Sequence, residues 1–187
     1  MKKTSEKTSE RTDFLNEVIK DSLLKLLKKK DYNRITVSDL CRCANVSRGT
    51  FYKYYGNLDN VIKALFSDAL KDIGNMALIK ECPPEGNEKC GLALCWFLRR
   101  NKKYQPLFFS DSLMQKAINS TVAALKEGFV EKMAEPTGLT PETLSQLLLF
   151  QITGCISVCK KNINEPDKVW RHIQCHVDEF LKSGFHI

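Results

Sequence analysis

The stretch Ile35–Tyr55, ITVSDLCRCANVSRGTFYKYY, constrains the fold of this chain more than any other. Thr36 and Ser47 each precede a short helix-forming run, and each can cap it through its hydroxyl. Ala44-Asn45-Val46 between the runs leaves room only for a sharp helix-to-helix corner. The second run carries Arg48, Thr50, Tyr52, Lys53 and Tyr54, donors suited to phosphates and base edges, while Phe51 and Tyr55 are left to face inward. This is the layout of a helix-turn-helix, a motif whose second helix can enter a DNA major groove.

The distribution of charge agrees with that reading. Residues 1–63 hold 14 Lys and Arg against 8 Asp and Glu, and the remainder holds 15 against 14. Nearly all of the net +7 therefore lies in the third of the chain that contains the motif. A basic region attracts nucleic acid through counterion release, but it also describes an ordinary solvated surface, so charge alone does not separate the two. With 43% hydrophobic and 27% charged residues the composition is that of a soluble globular protein. No basic segment leads into an apolar run at the start of the chain. The most apolar run, Leu144–Cys159, is interrupted by Ser145, Gln146, Gln151 and Thr153 and falls short of the roughly 20 residues needed to cross a bilayer. The expectation is a cytoplasmic protein with no membrane partner. Eight cysteines include no CxxC pair, and a chain of this size in a reducing compartment needs no disulfide framework. P-loop, GxGxxG, HExxH and nucleophile-elbow motifs are missing, so no enzyme, catalytic residue or cofactor is read here.

The rest of the chain reads as helix. Residues 1–12 are polar and read as a disordered basic tail. Phe14, Leu15, Val18, Ile19, Leu23, Leu26 and Leu27 recur at three- and four-residue spacing, which predicts a helix over 14–30 with Asp31 at a left-handed stop. After the motif, a long helix from Asn57 to about Ile79 carries Leu58, Val61, Ile62, Leu65, Phe66, Ala69, Leu70 and Ile73 on one stripe. Cys82-Pro83-Pro84-Glu85-Gly86 marks a loop. Helices are expected over 90–101, over 103–110 with a break at Pro106, and over 113–134. A turn follows at Glu135-Pro136-Thr137-Gly138, then helices over 140–162 and 166–184. The fold class is all-α. An N-terminal three-helix domain with the helix-turn-helix occupies 13–56, and a larger helical domain, regulatory and dimerising by the resemblance given below, occupies 57–187.

Ile35-Thr36-Val37, Asp39-Leu40, the run Ala44–Tyr52 and Tyr54-Tyr55 together resemble the tetracycline-repressor (TetR) family of transcriptional regulators. The similarity covers about residues 18–66, and beyond them only the helical architecture is shared. The resemblance implies a homodimer on double-stranded DNA, most simply a repressor, whose C-terminal domain dimerises and takes an unidentified small-molecule effector. It implies that Thr36 and Tyr52 touch phosphate, and that Ser47, Arg48, Gly49, Thr50, Lys53 and Tyr54 lie on or beside groove-facing positions. Arg48 suits a bidentate contact to guanine and Thr50 a thymine methyl. Gly49 gives up about 1 kcal/mol of helix propensity but lets the backbone approach closely. Leu40, Cys41, Val46 and Phe51 fall on core positions. Three residues depart from the family pattern. Asn45 replaces the corner Gly, and Asn tolerates positive φ. Asp31 replaces a Gly after the first helix. Leu58 replaces a Lys that contacts phosphate, which removes one backbone contact per subunit.

Outside the motif the signals are weaker. Trp96, Phe97, Tyr104, Phe108, Phe109 and Met114 could line a small-molecule pocket or simply fill a core. Leu144, Leu147, Leu148, Gln151, Gly154, Cys155 and Val158, with Trp170, Ile173 and Val177, are candidates for a dimer interface built as half of a four-helix bundle. His172, Cys175 and His176 share one helix face, and Cys155 and Cys159 are one turn apart, a pattern that fits a soft-metal or thiol sensor as well as buried packing. The alternatives to a ligand-switched regulator are thus a thiol- or metal-responsive regulator, and an adaptor of the same fold that binds a partner protein through its C-terminal domain.

Overall fold

The computed structural model describes residues 2–78 and 94–184; the loop expected at Cys82–Gly86 and the helix start expected at Cys90 lie outside them. Every regular element among the described residues is helical, as the periodicity requires. In chain order these are α1 (Lys2–Leu27), a 3-10 turn at Tyr32–Arg34, α2 (Val37–Ala44), α3 (Arg48–Tyr54) and α4 (Leu58–Leu78). They are followed by α5 (Leu94–Arg100), α6 (Gln105–Phe109), α7 (Met114–Thr137), α8 (Pro141–Asn162) and α9 (Asp167–Gly184). The chain forms two compact units. One comprises Met1–Asp68 with Pro106–Met114, the other Ala69–Gln105 with Gln115–Ile187.

In the first unit the apolar face of α1 buries Ile19, Leu23 and Leu24, while Leu40, Phe51, Val61, Ile62, Leu65 and Phe66 complete the core from α2, α3 and α4. Phe108 packs edge-on to Phe66 with ring centroids 5.4 Å apart. Lys20 is buried among them and donates to Glu17 and Asp68. Burial pulls its pKa down, but the hydrogen bonds to Asp68 and Glu17 outweigh that and hold it above the ordinary lysine value.

Both ends of α1 differ from the sequence expectation. The helix begins at Lys2, across the segment whose composition reads as a disordered tail. Lys and Glu are good helix formers, so a helix nucleated from Phe14 onward propagates backward through them. At the other end Asp31 is extended, with φ −59° and ψ 145°, rather than left-handed. Its carboxylate accepts from the Asn33 N–H at 2.9 Å and caps the 3-10 turn. Capping an orphan N–H suits Asp better than a left-handed conformation, which Cβ disfavours.

In the second unit α5 packs on α8, with Cys95 Sγ 3.7 Å from the Cys155 carbonyl. The inner face of α8 buries Leu144, Leu148, Ile152, Cys155, Ile156 and Cys159. Arg99 fixes the α8–α9 corner, donating to the Ile163 and Glu165 carbonyls at 3.0 and 2.6 Å and to Asp167 at 2.6 Å. Its guanidinium also lies 5.0 Å from the Trp170 ring centroid. The turn expected at Glu135–Gly138 begins later than the sequence suggests, because α7 runs through Pro136 to Thr137. Thr137 Oγ1 donates to the Met133 carbonyl at 2.6 Å, and Gly138, with φ 63°, then ends the helix. Pro106 is the second residue of α6 and does not break it, since a missing N–H in a first helical turn has no partner to lose. By length and composition the 22-residue α8 meets the requirement for a bilayer span, with a mean hydropathy of 1.2, although the uninterrupted run in it looks too short. Its buried stripe and its exposed Gln146, Thr153, Ser157 and Lys161 are those of a helix packed within this unit.

Candidate nucleic-acid interface

α2 is started by a reciprocal cap. Thr36 Oγ1 accepts from the Asp39 N–H at 3.1 Å, and Asp39 Oδ2 accepts from the Thr36 N–H at 3.0 Å. Lys30 Nζ meets the same carboxylate at 2.6 Å. That hydrogen bond, together with those from Thr36, holds the Asp39 carboxyl well below the usual carboxylate range. α2 is stopped by Asn45, which has φ 53° and ψ 45° and is the one left-handed non-glycine among the described residues. The Val46 N–H bonds back to the Cys41 carbonyl at 3.0 Å, and the chain enters α3 at Ser47. Ser47 Oγ accepts from the Thr50 N–H at 3.0 Å and shares a 2.8 Å hydrogen bond with Thr50 Oγ1.

The cap and corner present one face of α3 to solvent. At 100° per residue, Arg48, Tyr52, Gly49 and Lys53 fall on one contiguous arc of about 140°, and all four are exposed. Thr50 lies beyond the Lys53 edge of the arc and Tyr54 on the far side of the helix, both half-buried. Phe51 lies opposite, fully buried, with its ring edge-on to Tyr52 at 5.5 Å and stacked with Tyr55 at 6.3 Å. Tyr52 leaves 55% of its surface in water. Lys53 Nζ lies 5.9 Å from the Tyr54 ring centroid. A Cβ on Gly49 would meet only Ser47 Oγ, at 3.8 Å, so nothing within the protomer demands glycine there. Arg48 Nη2 donates to Ser38 Oγ of α2.

Leu58 is half-buried at the first position of α4. The start of that helix is fixed instead by its neighbours. Asn57 Oδ1 accepts from the Asn60 N–H at 2.9 Å, Asn60 Nδ2 donates to the Tyr55 carbonyl at 2.6 Å, and the Tyr32 hydroxyl donates to Asp59 at 2.6 Å. Burial and that bond to Asp59 push the Tyr32 pKa well up.

Residues 19–65 match the model of the tetR family of bacterial regulatory proteins. Over 60 residues the chain is 33% identical to YxbF, an uncharacterised HTH-type transcriptional regulator of Bacillus subtilis. That match takes in 32% of this chain and 16% of the length of YxbF. The N-terminal domain of the chain is thus similar to that of TetR-family regulators. The matched residues include Thr36 and all of α3. The crystal structure of the TetR family repressor AlkX from Dietzia sp. is similar over 90% of this chain and 95% of that one, with a TM-score of 0.52 at 18% identity. At that identity the likeness is one of fold, and it extends past the TetR domain into the C-terminal helices.

The remaining candidate residues are placed less simply. Phe97 is buried and stacked on Tyr104 at 5.5 Å, and the Tyr104 hydroxyl donates to Asp72 at 3.0 Å. With Trp96 they belong to the second unit, whereas Phe108, Phe109 and Met114 belong to the first. A cavity of about 20 Å³ lies elsewhere in the second unit, lined by Cys95, Cys155, Val158, Trp170, Ile173, Gln174 and Val177. It has room for about one water molecule. Of the dimer candidates, Leu144, Leu148, Gln151, Cys155 and Trp170 are buried inside the protomer and so are not free to meet a second copy. Leu147, Val158, Ile173 and Val177 are half-buried and Gly154 is exposed. The outward apolar groups are others: Leu149, Phe150, Val169 and Phe180. The His172 and His176 rings lie 4.5 Å apart, and Glu179 meets His176 Nδ1 at 3.2 Å and Cys175 Sγ at 3.6 Å. Among the described residues no three His, Cys, Asp or Glu side chains converge as metal ligands. Sequence reasoning missed Ser38 and the Lys30–Asp39 pair, because neither motif nor periodicity marks a contact made across a corner.

Proposed function

We propose that the chain is a sequence-specific, homodimeric transcriptional repressor that acts on double-stranded DNA in the cytoplasm and is released by a small-molecule effector. The observation that carries this reading is the α3 arc. Four exposed residues combine two cations, an exposed phenol and a glycine that the fold itself does not require. Arg48 reads guanine, Lys53 and Tyr52 meet phosphate, and Gly49 lets the α3 backbone lie close to the groove. Thr36, Ser47 and Thr50 hold this face in place through the caps. Two-fold pairing of the exposed α8 and α9 surfaces around Phe150, Gly154 and Phe180 presents two such faces to a palindrome.

Effector control is assigned to the second unit. Trp170 Nε1 and Gln151 Oε1 are buried there without a hydrogen-bond partner, which favours a ligand carrying polar atoms. An effector of ordinary size must widen the small cavity beside Trp170, and that demand couples binding to a change of shape.

Selection of bound duplexes from a random pool at physiological salt tests the central claim. An inverted repeat should be enriched, with half-sites about one helical turn apart or a multiple of it. Recovery of no preferred sequence over the starting pool would remove the basis for a regulator.

A further inference from the structure

We infer that Ser38 of α2 is a specificity-determining residue, which orients Arg48 for reading one base pair without touching DNA itself. The inference rests on the assignment of α3 as the DNA-reading helix. Arg48 opens α3, and its Nη2 reaches back across the corner to donate to Ser38 Oγ. The same guanidinium is close enough to α2 for its charge to pull the Cys41 thiol pKa down, against the larger upward push of burial. The hydrogen bond to Ser38 thus places an exposed, flexible side chain along α2 rather than loose in solvent.

The chemistry of the contact leaves the arginine able to read. A guanidinium has five N–H donors in a planar fork, two of them on Nη2. Guanine needs one edge of that fork, two parallel donors aimed at O6 and N7. A serine hydroxyl that accepts one Nη2 hydrogen leaves the other available, together with its neighbour on Nη1 or Nε. One complete bidentate edge is therefore still free. Arginine in water samples many rotamers, and freezing them on DNA weakens binding. Ser38 removes part of that freedom before DNA arrives. A purely structural strut is a poorer account, because Asn45, the Val46 N–H to Cys41 bond and the buried Phe51 already fix the corner.

Competition binding on a selected duplex, altered one base pair at a time, tests this. Arg48→Ala identifies the base pair that Arg48 reads. Ser38→Ala should relax preference at that base pair by about three- to tenfold, the effect of freeing one long side chain. Preference elsewhere, the salt slope and the melting temperature should be unchanged, and Ser38→Thr, which keeps the hydroxyl, should restore the preference. If Ser38→Ala keeps full preference where Arg48→Ala loses it, Ser38 is not a positioning residue, while the DNA-reading role of α3 stands. A uniform loss at all positions with a lower melting temperature would show a strut instead and overturn the inference. If Arg48→Ala loses no discrimination, or the wild-type chain selects no duplex, the inference falls with the reading beneath it.

Discussion

Gly49 occupies an exposed position of α3 that the protomer gives it no reason to hold. A glycine early in a seven-residue helix weakens it, and an Ala Cβ there would meet Ser47 Oγ only at ordinary contact distance. Gly49→Ala should therefore stabilise the folded chain by up to about 1 kcal/mol. If the α3 backbone lies against DNA, the same methyl group should weaken binding by about tenfold or more, equivalent to ~1.4 kcal/mol. Thermal melting and binding titration on one preparation read the two effects separately. A Gly49→Ala chain that is more stable and binds as well as wild type would place the α3 backbone away from the groove. At this scale much of the site was legible. Thr36, Asn45 and Ser47 each do what their side-chain chemistry allows, because caps and left-handed corners are decided within three or four residues. Asp31 departs from the left-handed stop expected of it because two local roles compete at that position, and capping the 3-10 turn prevails.

At the scale of elements, the start of α2 depends on a carboxylate held by partners from two places in the chain. Thr36 is three residues from Asp39 and its share in the cap can be read from the sequence, but Lys30 is nine residues away and its share cannot. The same limit explains Pro106 and Pro136, whose effect depends on whether they fall in a first, middle or last turn. The Asp39 pKa is depressed in the folded chain by Lys30 first and by Thr36 behind it. The stabilisation it brings is therefore complete above the unfolded-chain value of about 3.9 and is lost as pH falls through the folded value. In urea unfolding, wild type should exceed Asp39→Asn by a constant margin at neutral pH, and the margin should shrink only below about pH 4. A margin that stays the same down to pH 3 would show that Asp39 acts through packing rather than charge.

The whole molecule is where the sequence was least informative, and α8 shows why. It is apolar around most of its circumference, so periodicity cannot tell the arc buried in its own protomer from the arc offered outward. The structure separates them. Leu144, Leu148, Ile152, Cys155 and Cys159 face inward, while Phe150 is 61% exposed, followed one and two turns on by the exposed Gly154 and Ser157. On α9 the same division leaves Phe180 65% exposed and Val169 43% exposed, with Trp170 turned inward. Phe150 and Phe180, both left largely in water in one unit, are the side chains that the proposed two-fold pairing would cover. Burying a phenylalanine contributes about 1.5–3 kcal/mol, and a two-fold interface counts each residue twice. Phe150→Glu combined with Phe180→Glu should therefore weaken association by at least about a hundredfold, or ~2.7 kcal/mol. Helicity should be unchanged, since both side chains already lie outside the protomer core. Sedimentation at micromolar concentration should show a dimer for wild type and a monomer for the double variant, and the monomer should lose its preference for a palindrome over a single half-site. A wild-type chain that sediments as a monomer at tens of micromolar, yet selects a palindrome, would move the pairing onto the DNA and away from α8 and α9.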